Sequence, residues 1–239
     1  MCDAISIISP SRIKLAIQER GVENPLMARR ILVINPNCSE SCTAGIAQSL
    51  APFAAEGRPP FEVVSLPGGP PAIATWRDWF SVAEPLCRMV EEEDALAYII
   101  ACVSDPAIDV LRTVTPRPVI GPFRSAVGSA LARAERFGVI AFVEASKARQ
   151  RKVLQSMGVE ARLAASIALN LPMETLTDPT AAREALCNTA KALVAAGSEA
   201  VILGCAGMAG HRKAVEDAAG VPVIEPCQAA AAQALLALA

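Results

Sequence analysis

From residue 30 to residue 225 the chain alternates short, uniformly apolar runs with longer windows in which apolar and polar positions recur at helical spacing. The apolar runs fall at 31–34, 61–66, 96–101, 118–121, 137–142, 161–167, 200–203 and 221–224. Most are rich in β-branched residues and lack the in/out alternation of a half-exposed strand, which predicts parallel strands covered on both faces. Helical windows are predicted between and after them at 41–54, 78–93, 107–114, 124–135, 146–157, 179–196, 209–219 and 227–239. Regular strand-helix alternation predicts an α/β fold whose sheets are parallel and flanked by helices.

The pattern also repeats. AYIIACVSDPAIDVLRTVTPRPVIG in the first half is echoed by AVILGCAGMAGHRKAVEDAAGVPVIE in the second. Each is an apolar strand ending in Cys, a small or polar turn, a helix and then Pro-Val-Ile. Cys102 precedes Pro118 by 16 residues and Cys205 precedes Pro222 by 17. RRILVINPN and RFGVIAFVE echo each other in the same way. The expected organisation is two similar half-domains, 28–122 and 123–239, related by a pseudo-twofold with the active site between them. Residues 1–27 form an N-terminal extension, disordered or a short helix, with a helix-like patch at 13–20 and Met27 as an alternative start.

Composition narrows the function. Lys+Arg 22 against Asp+Glu 24 gives a net charge of −2, and aromatics are only 4 %, so neither a basic phosphate-binding field nor a base-stacking platform is present. A hydrophobic share of 53 % is too high for a disordered chain, yet no uninterrupted apolar stretch is long enough for a spanning helix. Nothing at the N-terminus resembles a secretion signal, so the eight cysteines are expected as free thiols in a reducing cytoplasm. With no C-x-x-C pair and one histidine, His211, no metal site is expected.

In a parallel sheet, ligands bind beyond the carboxyl ends of the strands. Cys102 and Cys205 both stand there. Ser104 or Asp105 is expected to cap a helix beginning at Pro106, and the turn at Ala206-Gly207-Met208 is small enough for close approach of a ligand. A helix N-terminus beside either thiol would lower its pKa towards neutrality. Two thiols facing one cleft suit inversion of a carbon stereocentre next to a carbonyl. One thiolate removes the proton from one face and the opposed thiol protonates the other, with no cofactor required. The loop Asn35-Pro36-Asn37-Cys38-Ser39 lies at the same sheet end, where it either holds a ureido or carboxylate group or caps the next helix through Asn37 or Ser39.

RILVINPNCSESCT, ACVSDPAID, PVIG, RFGVI, LGCAGMA and GVPVIE resemble the hydantoin and allantoin racemases of the aspartate/glutamate racemase superfamily, over about 28–239. The resemblance implies that Cys102 and Cys205 are the acid/base thiols. It also implies that Asn35 lies in the substrate loop, and that the backbone around Val103, Ser104, Ala206 and Gly207, with Gly121 of the PVIG segment, binds substrate. A small-molecule ureide substrate, a homo-oligomer and a cytoplasmic location are implied too. Three departures bear on specificity. Cys38 replaces a threonine common in the first loop, Ala74 stands where a glutamate is usual, and Arg124 opens a segment that often begins with Glu.

The remaining candidates read as structural. His211 is expected as a partly exposed residue at a helix start, 91–94 as a solvated acidic helix end, and Cys2, Cys42, Cys87, Cys187 and Cys227 as packing or surface residues. Trp76 and Trp79 either line the cleft mouth or pack under a loop. The rival functions are a decarboxylase or cis–trans isomerase on the same scaffold, and a non-catalytic small-ligand binder.

Overall fold

The computed structural model describes residues 30–178 and 180–239, together with the backbone of a short strand at Ile13–Lys14. The first half runs β1 (Ile13–Lys14), β2 (Ile31–Asn35), α1 (Glu40–Leu50), β3 (Phe61–Ser65), α2 (Trp76–Ser81), α3 (Ala83–Glu92), β4 (Ala97–Ile100), α4 (Ile108–Val114) and β5 (Val119–Ile120). The second continues with α5 (Pro122–Leu131), β6 (Phe137–Ala141), α6 (Glu144–Ser156), β7 (Leu163–Ala168), α7 (Met173–Thr177), α8 (Arg183–Ala195), β8 (Ala200–Gly204), α9 (Arg212–Ala219), β9 (Val223–Ile224) and α10 (Pro226–Ala237).

Two sheets form, ordered β1-β3-β2-β4-β5 and β7-β6-β8-β9. Apart from β1, every pairing is parallel, and the four parallel strands of each half are arranged second-first-third-fourth in chain order. The sequence repeat is therefore a repeat of topology, with β2 equivalent to β6 and β4 to β8. Each sheet is covered on both faces, as the uniformly apolar runs require. Ile31, Val33, Phe61 and Ile99 pack with Ile46 and Leu50 of α1 and with Ala230, Ala231 and Ala234 of α10. Leu32, Ile34 and Ile100 face the other way, onto Leu86 of α3 and Leu111 of α4. In the second sheet Phe137, Val139 and Ile202 meet α5 and α6, while Ile140, Val201 and Leu203 meet α8 and α9.

The last helix crosses between the halves. Alanines of α10 pack on the first sheet, and Ala229 turns to the cluster around β6 and α5. Side chains this small let one helix lie close to both bodies, which accounts for the QAAAA run.

Some elements differ from the sequence expectation. Ile13–Lys14, inside the helix-like patch, pairs antiparallel with Val63 and Glu62, satisfying open backbone groups at the edge of β3; the rest of the extension lies outside the described residues. The window at 78–93 divides into two helices. Thr75 and Asp78 form a capping box that starts α2. Pro85, in the first turn of α3, has no N–H to continue the α2 ladder. The stretch at 209–219 opens with a 3₁₀ segment, Ala206–His211, before α9. Glu91 and Glu92 are exposed, but Glu93 is half-buried and pairs with Arg30.

Candidate active site

Cys102 lies two residues beyond β4 and Cys205 directly follows β8, so equivalent strands deliver both thiols to the carboxyl edges of the two sheets. They line one narrow cavity of about 30 Å³. Asn37, Cys42, Ile73 and Ser104 contribute from the first half, and Phe142, Ser146, Met173 and Ala206 from the second. The wall is thus polar at Asn37, Ser104 and Ser146, and apolar at Ile73, Phe142 and Met173. A wider groove of about 440 Å³ lies between β3 and α3, but its rim is Glu84, Arg88 and Glu92 and neither thiol reaches it.

Each thiol is met by a backbone N–H two residues further on. Ser104 N–H donates to the Cys102 sulfur, and Gly207 N–H donates to that of Cys205. The Ser104 hydroxyl adds a contact at 3.5 Å to Cys102 Sγ. The neighbours are otherwise asymmetric. The Arg149 guanidinium favours a thiolate at Cys102, whereas Cys205 faces Cys42 and Cys102, whose like charge would oppose one.

The expected lowering of the thiol pKa values is not found. Burial pushes both thiols above the ordinary value, and Cys42 up to about 11. The reason is geometric. The helix after Cys102 begins at Ile108, not Pro106, behind Ala107 at φ 63°, with no side-chain cap. Asp105, at φ 48°, turns away to accept from Phe123 N–H at 2.8 Å and Arg124 N–H at 2.9 Å, capping α5 instead. Two non-glycine residues in the left-handed region within one turn store strain behind the thiol. Cys205 is followed by the 3₁₀ segment, whose few aligned peptides make a weaker dipole than an α-helix.

The other sequence candidates separate into wall and frame. Ser104, Val103 and Ala206 line the cavity. Gly207 does not, but its N–H serves Cys205. Asn35 is fully buried beneath its loop; its amide donates to Asn37 Oδ1 at 2.9 Å and Thr43 Oγ1 at 3.0 Å and accepts from Asn37 N–H. Asn37, not Asn35, faces the cavity, and Ser39 caps α1 through Cys42 N–H. Gly121 is away from the cavity wall, packed against the Asp105 carboxylate. His211 is buried rather than partly exposed, with Nε2 3.2 Å from the Leu176 carbonyl. Trp79 packs against the site from outside, its indole N–H donating to the Ser104 carbonyl at 3.1 Å, and Trp76 is 38 % exposed beside it.

Three participants escaped the sequence reading. Cys42, expected as packing, lines the cavity from the first turn of α1; its place four residues after Cys38 in the loop-to-helix junction was the available signal. Arg149 and Gln150 of α6 are buried at 1 % and 3 % exposure. Their setting in KARQRK reads as a solvated face.

Two parallel four-stranded sheets with a small cavity at their joined carboxyl edges define the two-domain racemase fold. The Asp/Glu/Hydantoin racemase family profile matches residues 31–234, and the chain belongs to that family. A hydantoin racemase from Paenarthrobacter aurescens is 34 % identical, over 87 % of this chain and 92 % of that one. Among solved structures, an allantoin racemase from Klebsiella pneumoniae superimposes with a TM-score of 0.81 at 30 % identity, covering 88 % of each chain. Allantoin racemase from Pseudomonas fluorescens gives the same TM-score of 0.81 at 26 % identity, over 86 % of this chain and 88 % of that one. The protein is accordingly a racemase, an isomerase in reaction class. Among the described residues no helix is long and apolar enough to cross a membrane.

Proposed function

We propose that the protein inverts the C5 stereocentre of a 5-substituted hydantoin or related ureide by a two-base, cofactor-independent mechanism using Cys102 and Cys205. The observation that carries this reading is the shared cavity, which receives one thiol from each half at equivalent strand ends. In one direction the Cys102 thiolate takes the C5 proton, leaving an enolate delocalised onto the adjacent carbonyl. The Cys205 thiol then protonates the opposite face. The substrate loses and regains one proton, and the two sulfurs exchange protonation states. Arg149 and the two Ser104 donors offset part of the burial penalty at Cys102 and support it as the thiol that gives up its proton to start the reaction. The Ile73, Phe142 and Met173 wall favours an apolar 5-substituent over the polar ureido arm of allantoin.

The test incubates enantiopure 5-alkyl hydantoin, and separately allantoin, with the enzyme in D₂O. Optical rotation is expected to decay while deuterium enters C5. Cys102→Ala and Cys205→Ala are each expected to abolish inversion; undiminished racemisation in both variants would overturn the two-thiol reading.

A further inference from the structure

Helix α6 belongs to the second half, yet two adjacent side chains on it reach the first. The Gln150 amide donates to the Val103 carbonyl at 2.9 Å and to the Gly204 carbonyl at 3.3 Å. Val103 follows Cys102 and Gly204 precedes Cys205. One buried amide therefore spans the two segments that carry the thiols, using both of its N–H groups. The opposite orientation of the amide would set its oxygen against two carbonyls, so these partners select the orientation. The arrangement leaves Gln150 Oε1 buried with no partner, a desolvation penalty accepted for the sake of the two donors.

Arg149, the next residue, makes the parallel connection at the rim. Its guanidinium donates to the carbonyls of Ile73 and Ala74, each at 3.0 Å, and to Ser146 Oγ at 3.0 Å. Ile73 and Ser146 are wall residues from opposite halves. Residues 146, 149 and 150 recur at i, i+3 and i+4, so they share one face of α6.

We infer that Gln150 is a positioning residue whose amide sets the spacing of the Cys102 and Cys205 segments, so that both thiols address one carbon from opposite faces. The inference rests on the two-thiol reading. It concerns concerted geometry and not proton affinity. Removal of one proton needs one placed sulfur, whereas inversion needs two, and losing the bridge therefore harms inversion more than removal.

The experiment compares wild type with Gln150→Met, which keeps the volume but lacks donors, following inversion and C5 deuterium incorporation in D₂O with enantiopure 5-alkyl hydantoin. The expected result is a loss of about 10- to 100-fold in inversion kcat with KM little changed, and a several-fold rise in the ratio of exchange with retention to inversion. Packing alone would lower the unfolding midpoint without moving that ratio. An unchanged ratio in a folded Gln150→Met enzyme would overturn the inference. Should that variant not fold, the same ratio in Gln150→Asn, one methylene too short to span both carbonyls, decides in the same way. Wild type that fails to racemise any ureide would instead count against the proposed function, which keeps the two failures distinct.

Discussion

The Asp105 carboxyl group occupies the space that a side chain on Gly121 would need: an ideal Cβ there stands 2.5 Å from the carboxyl carbon. The pair keys the loop after Cys102 to the start of α5, since the same carboxylate accepts from Phe123 and Arg124. Gly121→Ala is expected to push Asp105 off the helix terminus and to destabilise the fold by about 2–4 kcal/mol, combining overpacking with a lost cap. Urea unfolding measures it, and a midpoint equal to wild type would refute the argument.

Trp79 reaches the same loop from outside through its hydrogen bond to the Ser104 carbonyl. Trp79→Phe keeps the aromatic packing against Trp76 and Phe80 but loses the donor. The expected cost is about 1 kcal/mol in stability, together with a lower inversion kcat because Ser104 supplies two contacts to Cys102. Calorimetry and steady-state kinetics on the purified variant check both.

The rate is expected to climb with pH. Both thiols lie above their ordinary value of 9.0, so the thiolate fraction is small at neutrality and grows on raising the pH. The ascending limb of kcat/KM against pH should therefore extend beyond pH ~8. Arg149→Met removes the cation that favours the Cys102 thiolate and should move that limb further alkaline. Arg149→Lys keeps the charge and should hold the limb near its wild-type position. A limb unmoved in Arg149→Met would show that the guanidinium does not act on the thiol.

Stability should run in the opposite direction. Burial raises Asp105 from 3.8 to about 6 and Glu225 from 4.5 to about 7. Both groups bind their protons more tightly folded than unfolded. Their contribution is complete below the unfolded values and is lost as the pH rises through about 6 to 7. The unfolding free energy should fall between pH ~4 and ~7, by up to about 3 kcal/mol for each group, and level off above that. Glu225 caps α10 by accepting from Cys227 N–H on one oxygen and from Gln228 N–H on the other; Glu225→Gln keeps one of the two acceptors, so it should lower stability at every pH while flattening the upper part of the curve.

Local patterns were legible because they are one-dimensional. A buried parallel strand needs several apolar residues in a row, and the runs at 31–34 and 200–203 begin where β2 and β8 begin. The repeated Cys-turn-helix-Pro-Val-Ile pattern singled out Cys102 and Cys205 without coordinates, and they now share a cavity. Asn35 shows where such reading stops. Whether an Asn braces a loop or faces a cavity depends on side-chain direction, and here Asn35 braces the loop while Asn37 takes the cavity side.

The sequence by itself determined the strand-helix alternation, the doubling of the topology and the chemical type of the two strand-end groups, because each is written in neighbouring residues or in a repeat. Only the tertiary structure decided that Arg149 and Gln150 turn inward from a polar helix, that α10 returns to cover the first sheet, and that burial raises the thiols instead of a helix terminus lowering them. Those outcomes depend on which surfaces exclude water once the halves meet. Hydrogen-bond partners 47 and 76 residues apart, such as Gln150 with Val103 and Arg149 with Ile73, have no signature in local periodicity.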